Sequence, residues 1–428
     1  MYNIQEKKEE RVLIVGVDTN KKYEINIESS MKELAELVKA AEGVVEASII
    51  QNRESIDSAY YIGTGKAQEI AIYCEELNID TVVFNNELTG AQIRNLEEII
   101  NRKIIDRTSL ILDIFAKRAT SKEGKLQVEL AQLKYRLPRL IGYRNYLSRA
   151  GAGIGTRGPG EQKLEIDRRH ILSRINDIER QLKELTNVRK IKRKKRENSN
   201  IPIVALVGYT NAGKSTLLNS IIREDNEYHE DKEVFAYDML FATLETTLRK
   251  SMLPNGQDFL ITDTVGFVSK LPTRLVEAFK GTLEEVKYAD LLLHVIDVTN
   301  EDINIQVKTT MSILKDLDVL DKPIITVFNK VDIDNNYSLE YDIKEPKVFI
   351  SAKTGHNLDR LLKMIQENLP NKYYKVDILV PYDKGELMSY LFDNTKVEKC
   401  EYVEKGTLVT TTLDSIDFNR YNEYVFKK

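Results

Sequence analysis

Gly208-Tyr209-Thr210-Asn211-Ala212-Gly213-Lys214-Ser215 follows the apolar run Pro202-Ile203-Val204-Ala205-Leu206-Val207. It has the G-x-x-x-x-G-K-[ST] spacing of a phosphate-binding loop. A buried strand that feeds such a loop and then a helix decides the fold of this part of the chain: an α/β domain with a mostly parallel sheet. The glycines let backbone N–H groups turn toward phosphate oxygens where a Cβ would clash. The helix from Lys214 aims its N-terminus at the same oxygens. Lys214 is expected to pair with the β- and γ-phosphates, and Ser215 to bind Mg²⁺ through its hydroxyl.

Working outward, three further stretches follow apolar runs in the order a guanine nucleotide site requires. Asp263-Thr264-Val265-Gly266 follows Phe259-Leu260-Ile261-Thr262. Asp263 is expected to hold Mg²⁺ through a water, and Gly266 to offer its backbone N–H to the γ-phosphate. A threonine between the two stretches normally completes the metal shell. Of Thr243, Thr246 and Thr247, Thr243 is the choice, within Phe241, Ala242, Thr243, Leu244 and Glu245. Asn329-Lys330-Val331-Asp332 follows Ile324-Ile325-Thr326-Val327-Phe328. A carboxylate at Asp332 accepts from guanine N1–H and N2–H₂, and adenine would leave it unpaired. Ser351-Ala352-Lys353, after Val348-Phe349-Ile350, supports the base from the other side. Lys214, Thr243 and Gly266 form the expected catalytic set.

Phe267 stands where Ras-like switches keep a water-orienting glutamine, so slow intrinsic turnover is expected. Asn211 in the phosphate loop raises K⁺ stimulation as a hypothesis, since some potassium-activated GTPases have asparagine there. His294, inside Leu291-Leu292-Leu293-His294-Val295-Ile296-Asp297, reads as a satisfied core histidine rather than a catalytic one.

The 428 residues exceed one core and suggest about three domains. With 30% charged and 42% hydrophobic residues, the composition is ordinary for a soluble globular protein. No stretch of 18 or more apolar residues occurs, so no membrane span is expected, and the first ten residues lack the apolar core of a signal peptide. Two distant cysteines, Cys74 and Cys400, suit a reducing cytoplasm and exclude a disulfide framework. With the four histidines they lack the spacing of a zinc site. A cytoplasmic monomer is expected.

The net charge of −4 hides an asymmetry. Between Leu133 and Arg196 there are 19 Lys and Arg against 6 Asp and Glu. A local polyanion contact and a solvated helical surface explain this equally well by charge alone. Leu126, Leu130, Leu133 and Leu137, then Ile171, Ile175, Ile178, Leu182 and Leu185, recur at the seam spacing of paired helices. Between them Gly151 to Gly160 cannot continue a helix. An antiparallel helical hairpin with a glycine-rich tip is predicted, ending in the basic run Arg189 to Arg196. Tyr135, Tyr143 and Tyr146 lie among basic residues, where either RNA stacking or helix packing explains them.

The whole chain therefore reads as an α/β multidomain protein. Residues 1–105 form an N-terminal α/β unit, with strands at Val12–Val17, Val45–Ile50 and Thr81–Phe84 and helices at Met31–Ala41 and Gln92–Arg102. Gly63-Thr64-Gly65-Lys66 within it reads as a tight turn. Residues 106–200 form the hairpin, 201–370 the P-loop GTPase domain, and 371–428 a small α+β C-terminal domain around a helix near Gly385–Phe392.

At this point the chain resembles the HflX family of ribosome-associated GTPases. The stretches that carry the resemblance are Gly153-Ile154-Gly155-Thr156-Arg157-Gly158-Pro159-Gly160-Glu161, Leu164-Glu165 and Asp167-Arg168-Arg169. Phe241-Ala242-Thr243-Leu244, Asp263-Thr264-Val265-Gly266-Phe267, Leu271-Pro272, Ala278-Phe279 and Thr282-Leu283-Glu284-Glu285 also match, as does Tyr61-Ile62-Gly63-Thr64-Gly65-Lys66. It runs from about Val12 to the Pro381-Tyr382 region and its tail. Gln162-Lys163 and Glu245-Thr246-Thr247 depart from the family pattern. The resemblance implies binding of GTP and GDP, binding to the large ribosomal subunit and its RNA, and splitting or rescue of stalled ribosomes under stress. The hairpin tip would reach toward the peptidyl-transferase region. Arg157, Arg168, Arg169, Lys192, Arg193, Lys194, Lys195 and Arg196 are the expected RNA contacts. A ribosome assembly GTPase and a signalling GTPase with a protein partner and no RNA remain the alternatives.

Overall fold

The computed structural model describes residues 9–19, 26–147, 159–197, 201–223, 240–241, 247–269, 285–300, 302–333, 346–369 and 373–426. Three sheets organise them.

The first sheet is parallel, in the order β2-β1-β3-β4, with β1 at Glu10–Asp18, β2 at Gly43–Asn52, β3 at Thr81–Phe84 and β4 at Lys103–Asp106. Val12 to Val17 is buried as a continuous apolar run, as a strand covered on both faces requires. Helix α1 (Ile27–Ala40) and α4 (Arg107–Arg118) cover one face, while α2 (Thr64–Glu76) and α3 (Gly90–Ile100) pack in the core on the other. Asn26 caps α1, and Thr89 with Gln92 forms a capping box on α3. Gly63 and Thr64 do not make the tight turn expected from the glycines. Gly63 is the extended residue before α2, and Thr64 opens that helix. The reason is local: the Gly63 carbonyl accepts the Ala67 N–H at 3.0 Å, the first bond of the helix, while the Gly63 N–H donates to Gln51 Oε1 at 2.9 Å.

Helices α5 (Lys122–Leu147) and α6 (Pro159–Glu197) form the hairpin. Leu126, Leu130, Ile175 and Ile178 are buried in one cluster, with Leu133, Leu137, Ile171, Leu182 and Leu185 packed against it. These are the seam residues expected from the spacing. Lys134 pairs with Glu179 at 2.8 Å, and Glu123 with Arg189 further toward the base, so the helices run antiparallel. Of the glycine-rich tip, 151–158 lie outside the described residues. Pro159 and Gly160 do not belong to the break as expected but open α6, where a proline is tolerated in the first turn because its missing N–H has no helical acceptor there.

The second sheet has the order β10-β9-β8-β5-β7-β6. It comprises β5 (Ile203–Gly208), β6 (Thr247–Met252), β7 (Asp258–Asp263), β8 (Leu291–Asp297), β9 (Ile324–Asn329) and β10 (Lys347–Phe349). All neighbouring pairs are parallel except β6 with β7. Helices α7 (Lys214–Arg223) and α9 (Leu358–Asn368) pack on one face and α8 (Ile303–Asp316) on the other. The third sheet, β11-β13-β12, is antiparallel: β11 at Tyr373–Val380, β12 at Lys396–Val403 and β13 at Gly406–Asp414. Helix α10 (Gly385–Asn394) packs on it through Leu387 and Leu391. Among the described residues no helix is long and apolar enough to cross a membrane.

Candidate functional site

The carboxyl ends of β5, β7 and β9 bring together three of the stretches expected to read a nucleotide. β5 leads into the phosphate loop, β7 ends on Asp263 and β9 ends on Asn329. Parallel strands place these ends on one edge of the sheet, where open α/β sheets bind ligands.

Lys214 is 6% exposed, and its ammonium donates to the carbonyls of Gly208 at 3.1 Å and Tyr209 at 2.7 Å. Burial pushes its pKa down to about 8, against the opposing charge of Asp263. The head is thus held over the centre of its own loop. Ser215 Oγ donates to Asp263 Oδ2 at 2.6 Å, and Asp263 is fully buried. A hydroxyl and a carboxylate converging at a helix N-terminus are hard oxygen donors that suit Mg²⁺. Thr243, with Ala242, Leu244 and Glu245, lies outside the described residues. Phe241 is described and buried, at φ 57°.

Gly266 packs against the phosphate loop. A Cβ there would lie 2.7 Å from Thr210 Cγ2 and 2.9 Å from Lys214 Nζ, so only glycine permits this approach. Two backbone hydrogen bonds fasten the next residue: Thr210 N–H donates to the Phe267 carbonyl at 2.7 Å, and Phe267 N–H donates to the Gly208 carbonyl at 3.1 Å. The Phe267 ring is 1% exposed, in the core with Tyr209, Val286 and Leu292. It is an anchor of this loop and carries no group able to orient water.

Asn329 ties the loop of Ser351 to Lys353 to the phosphate loop. Its Nδ2 donates to the Ala212 carbonyl at 2.9 Å, and its Oδ1 accepts from the Ala352 N–H at 2.9 Å. Gly213, at φ +88°, leaves the space that the Asn329 amide fills. Lys330 pairs with Asp297 at 2.7 Å. Ser351 and Ala352 are buried, whereas Asp332 and Lys353 are exposed.

His294 is buried as expected, but it is not satisfied: Nδ1 has no hydrogen-bond partner. Burial first, then the Lys214 charge, lowers its pKa to about 4. The strand pattern identified its burial, and the sheet sets it between Val207 and Thr326 of the neighbouring strands.

Of the basic set, Arg168 and Arg169 are exposed on α6, with Glu165 at 3.8 and 3.6 Å. Lys192 to Arg196 lie on α6, and Arg157 lies outside the described residues. Tyr135 is 8% exposed and donates to Asp106, so helix packing explains it.

Three residues escaped the sequence reading. Glu33, Arg107 and Ser269 meet Tyr209 where the first sheet faces the phosphate loop. Tyr209 donates to Glu33 Oε1 at 2.5 Å, and Arg107 pairs with Glu33 Oε2 at 2.6 Å. A cleft of about 450 Å³ opens beside them, lined in part by Thr210, Asn211, Asp297 and Gln306. No local pattern marks a contact spanning 176 residues of chain. Asp297 did have a signal, as an acid at the carboxyl end of an apolar strand.

A phosphate loop between β5 and α7, with Asp263 and Asn329 at the ends of neighbouring strands, defines a P-loop GTPase. Family models agree segment by segment: "GTP-binding GTPase N-terminal" over 28–116, "GTP-binding GTPase Middle Region" over 118–196, "50S ribosome-binding GTPase" over 203–330 and "HflX C-terminal domain" over 341–418. The chain is 50% identical over 400 residues to GTPase HflX of Caldanaerobacter subterraneus subsp. tengcongensis, covering 94% of this chain and 90% of that one. With GTPase HflX of Escherichia coli it shares 38% identity over 396 residues, 91% of each chain. A GTP-binding protein from Sulfolobus solfataricus, solved in complex with GDP, is 26% identical and covers 83% of this chain and 98% of that one, at a TM-score of 0.43. The chain belongs to the HflX family of GTPases.

Proposed function

We propose that the chain binds GTP at the ends of β5, β7 and β9, hydrolyses it, and uses the nucleotide state to time its hold on the large ribosomal subunit. The observation that carries the nucleotide reading is the Asn329 bridge, which joins the base-reading loops to the phosphate loop. Gly208 to Ser215 would cradle the phosphates, Gly266 would read the γ-phosphate, and Asp332, with Ser351 to Lys353, would read guanine. Lys214 would exchange its loop carbonyls for phosphate oxygens. Ser215, Asp263 and Thr243 would hold Mg²⁺. When bound, that ion neutralises charge on the β- and γ-oxygens.

The family description "50S ribosome-binding GTPase" over 203–330 supports the ribosome reading. So does a hairpin whose basic end lies on α6. A slender positive arm suits an RNA-lined site, and a ligand shifts an equilibrium only by its differential affinity for two states. The GTP-loaded form would bind the subunit and disfavour subunit joining, which splits or rescues stalled ribosomes under stress. Hydrolysis would release the protein. We place it in the cytoplasm, at ribosomes.

The test is subunit profiling of intact ribosomes with the protein and GTP. Free subunits should accumulate, with the protein on the large one. Protein left at the top of the gradient in a GTP analogue at low salt would overturn the ribosome reading. Binding only to immature large subunits would favour assembly instead.

A further inference from the structure

Asp106 and Arg107 are consecutive residues at the end of β4 and the start of α4, and they serve opposite neighbours. Asp106 is fully buried and faces the hairpin. It caps α4 through the Ser109 N–H at 2.9 Å, accepts the Leu88 N–H at 2.9 Å, and accepts from the Tyr135 hydroxyl and from Arg139 at 3.1 Å. Tyr135 and Arg139 both belong to α5, and the Arg139 guanidinium lies 3.4 Å over the Tyr135 ring. The carboxylate therefore anchors the base of the hairpin to the first sheet.

Arg107, 2% exposed, faces the nucleotide domain. It donates to Asn85 Oδ1 at 2.9 Å, to Glu33 Oε2 at 2.6 Å and to Ser269 Oγ at 3.0 Å. Ser269 in turn donates its hydroxyl to Glu33 and its N–H to the Tyr209 oxygen. Tyr209 closes the ring by donating to Glu33 Oε1. Around this polar knot, Val265, Val268 and Phe241 of the nucleotide domain pack with Ile111, Ile114 and Phe115 of α4. The Phe115 and Phe241 rings meet edge to face at 4.6 Å.

The geometry gives this knot leverage on the phosphate site. Gly266 lies against Thr210 and the Lys214 ammonium, three residues before Ser269. A γ-phosphate that pairs with Lys214 and accepts from the Gly266 N–H would bear directly on the segment from Val265 to Ser269. Charged, buried hydrogen bonds in a packed core resist small deformations and change between discrete arrangements. Moving Ser269 therefore pulls on Arg107. Asp106, one peptide bond away and capping the same helix, carries the displacement to Tyr135 and Arg139.

We propose that the Asp106–Arg107 dipeptide is a relay that couples the helical hairpin to the phosphate loop, so that hairpin engagement alters the preference for GTP over GDP and the γ-phosphate alters the pose of the hairpin. Glu33, Arg107 and Tyr135 are positioning residues in this relay. The two directions are equal in binding free energy, because linkage is reciprocal. In its biological use this rests on the ribosome-binding reading above, but the coupling itself is a property of the isolated chain.

The test uses the full chain in two arms. In the first, without ribosomes, fluorescent GDP and a fluorescent non-hydrolysable GTP analogue are titrated against wild type, Tyr135→Phe, Arg107→Lys and the double variant. Tyr135→Phe removes one hydroxyl on the hairpin and touches no nucleotide. It should change the analogue-to-GDP affinity ratio by roughly three- to tenfold, the scale of mutations along a coupled network. Loss of general stability would not move that ratio. The double variant should change it no more than the larger single change, since both cut one path. An unchanged ratio in Tyr135→Phe, or additive effects in the pair, would overturn the relay. If Arg107→Lys fails to fold, Glu33→Gln takes its place in the pair. In the second arm, GTP turnover is measured with and without purified large subunits. Tyr135→Phe should still sediment with subunits while losing much of their effect on turnover; an effect equal to wild type counts against the relay. Wild type that ignores large subunits in this arm would defeat the ribosome reading, and the first arm would still judge the relay.

Discussion

Asn329 donates its side-chain amide to the Ala212 carbonyl at 2.9 Å, inside the phosphate loop, while its carbonyl oxygen accepts from the loop of Ser351 to Lys353. One buried side chain thus fixes the distance between the phosphate and base ends of the proposed site. Asn329→Ala should weaken GDP and a GTP analogue by the same factor, about tenfold or more, because two buried hydrogen bonds worth about 1 kcal/mol each are lost. Titration of both nucleotides checks this. A change in their ratio would mean that Asn329 reads the γ-phosphate.

Asp332 is exposed at the end of the same loop, free of the packing that holds Asn329. Asp332→Asn should lower GTP affinity and raise that for xanthosine triphosphate, which carries a carbonyl where guanine carries its amine. Competition between the two nucleotides measures the switch. Unchanged GTP affinity would remove Asp332 from the base site.

Burial lowers the Lys214 pKa to about 8. Phosphate in contact with the ammonium favours its charged form, so binding should take up a proton once the pH rises above that value. Titration calorimetry at pH 8.5 in buffers of different ionisation enthalpy should detect this uptake. It should vanish near pH 6.5, where the lysine is already charged, and GTP affinity should fall as the pH rises through 8. No uptake at pH 8.5 would mean that the free protein already carries the charge. Lys214→Ala should abolish turnover.

Burial holds the His294 imidazole at a pKa of about 4, below the ordinary histidine value of 6.5. The neutral form is favoured in the fold, so its contribution is present above pH 6.5 and is lost as the pH falls through 4. The unfolded chain takes up the proton first. The loss amounts to roughly 3 kcal/mol. Denaturant titrations at several pH values should show this slope in wild type and a flatter one in His294→Leu. Equal slopes would place the acid sensitivity elsewhere.

Asn211 sits in the phosphate loop at φ +60°, beside the cleft at Tyr209. We expect GTP turnover to be faster in K⁺ than in Na⁺ buffer, and Asn211→Ala to erase the difference. Equal wild-type rates in the two salts would dispose of K⁺ stimulation.

What is local and periodic was legible in the residues alone. Gly208 to Ser215 after an apolar strand specified the phosphate loop, because phosphate contact there needs glycine backbone and one lysine. Leu126 to Leu185 specified the hairpin seam, because paired helices bury one residue in every three or four. What those parts touch depends on long-range packing. Parallel strands gathered Asp263 and Asn329 around Lys214, and Phe267 became an anchor because its ring found a core between Tyr209 and Val286. The meeting of Glu33, Arg107, Tyr209 and Ser269 was illegible in the sequence. Their contacts cross as many as 236 positions, and no residue pattern encodes which sheet edge faces which loop. That choice was made by the packing of α1 and α4 against Phe241, Val265 and Val268.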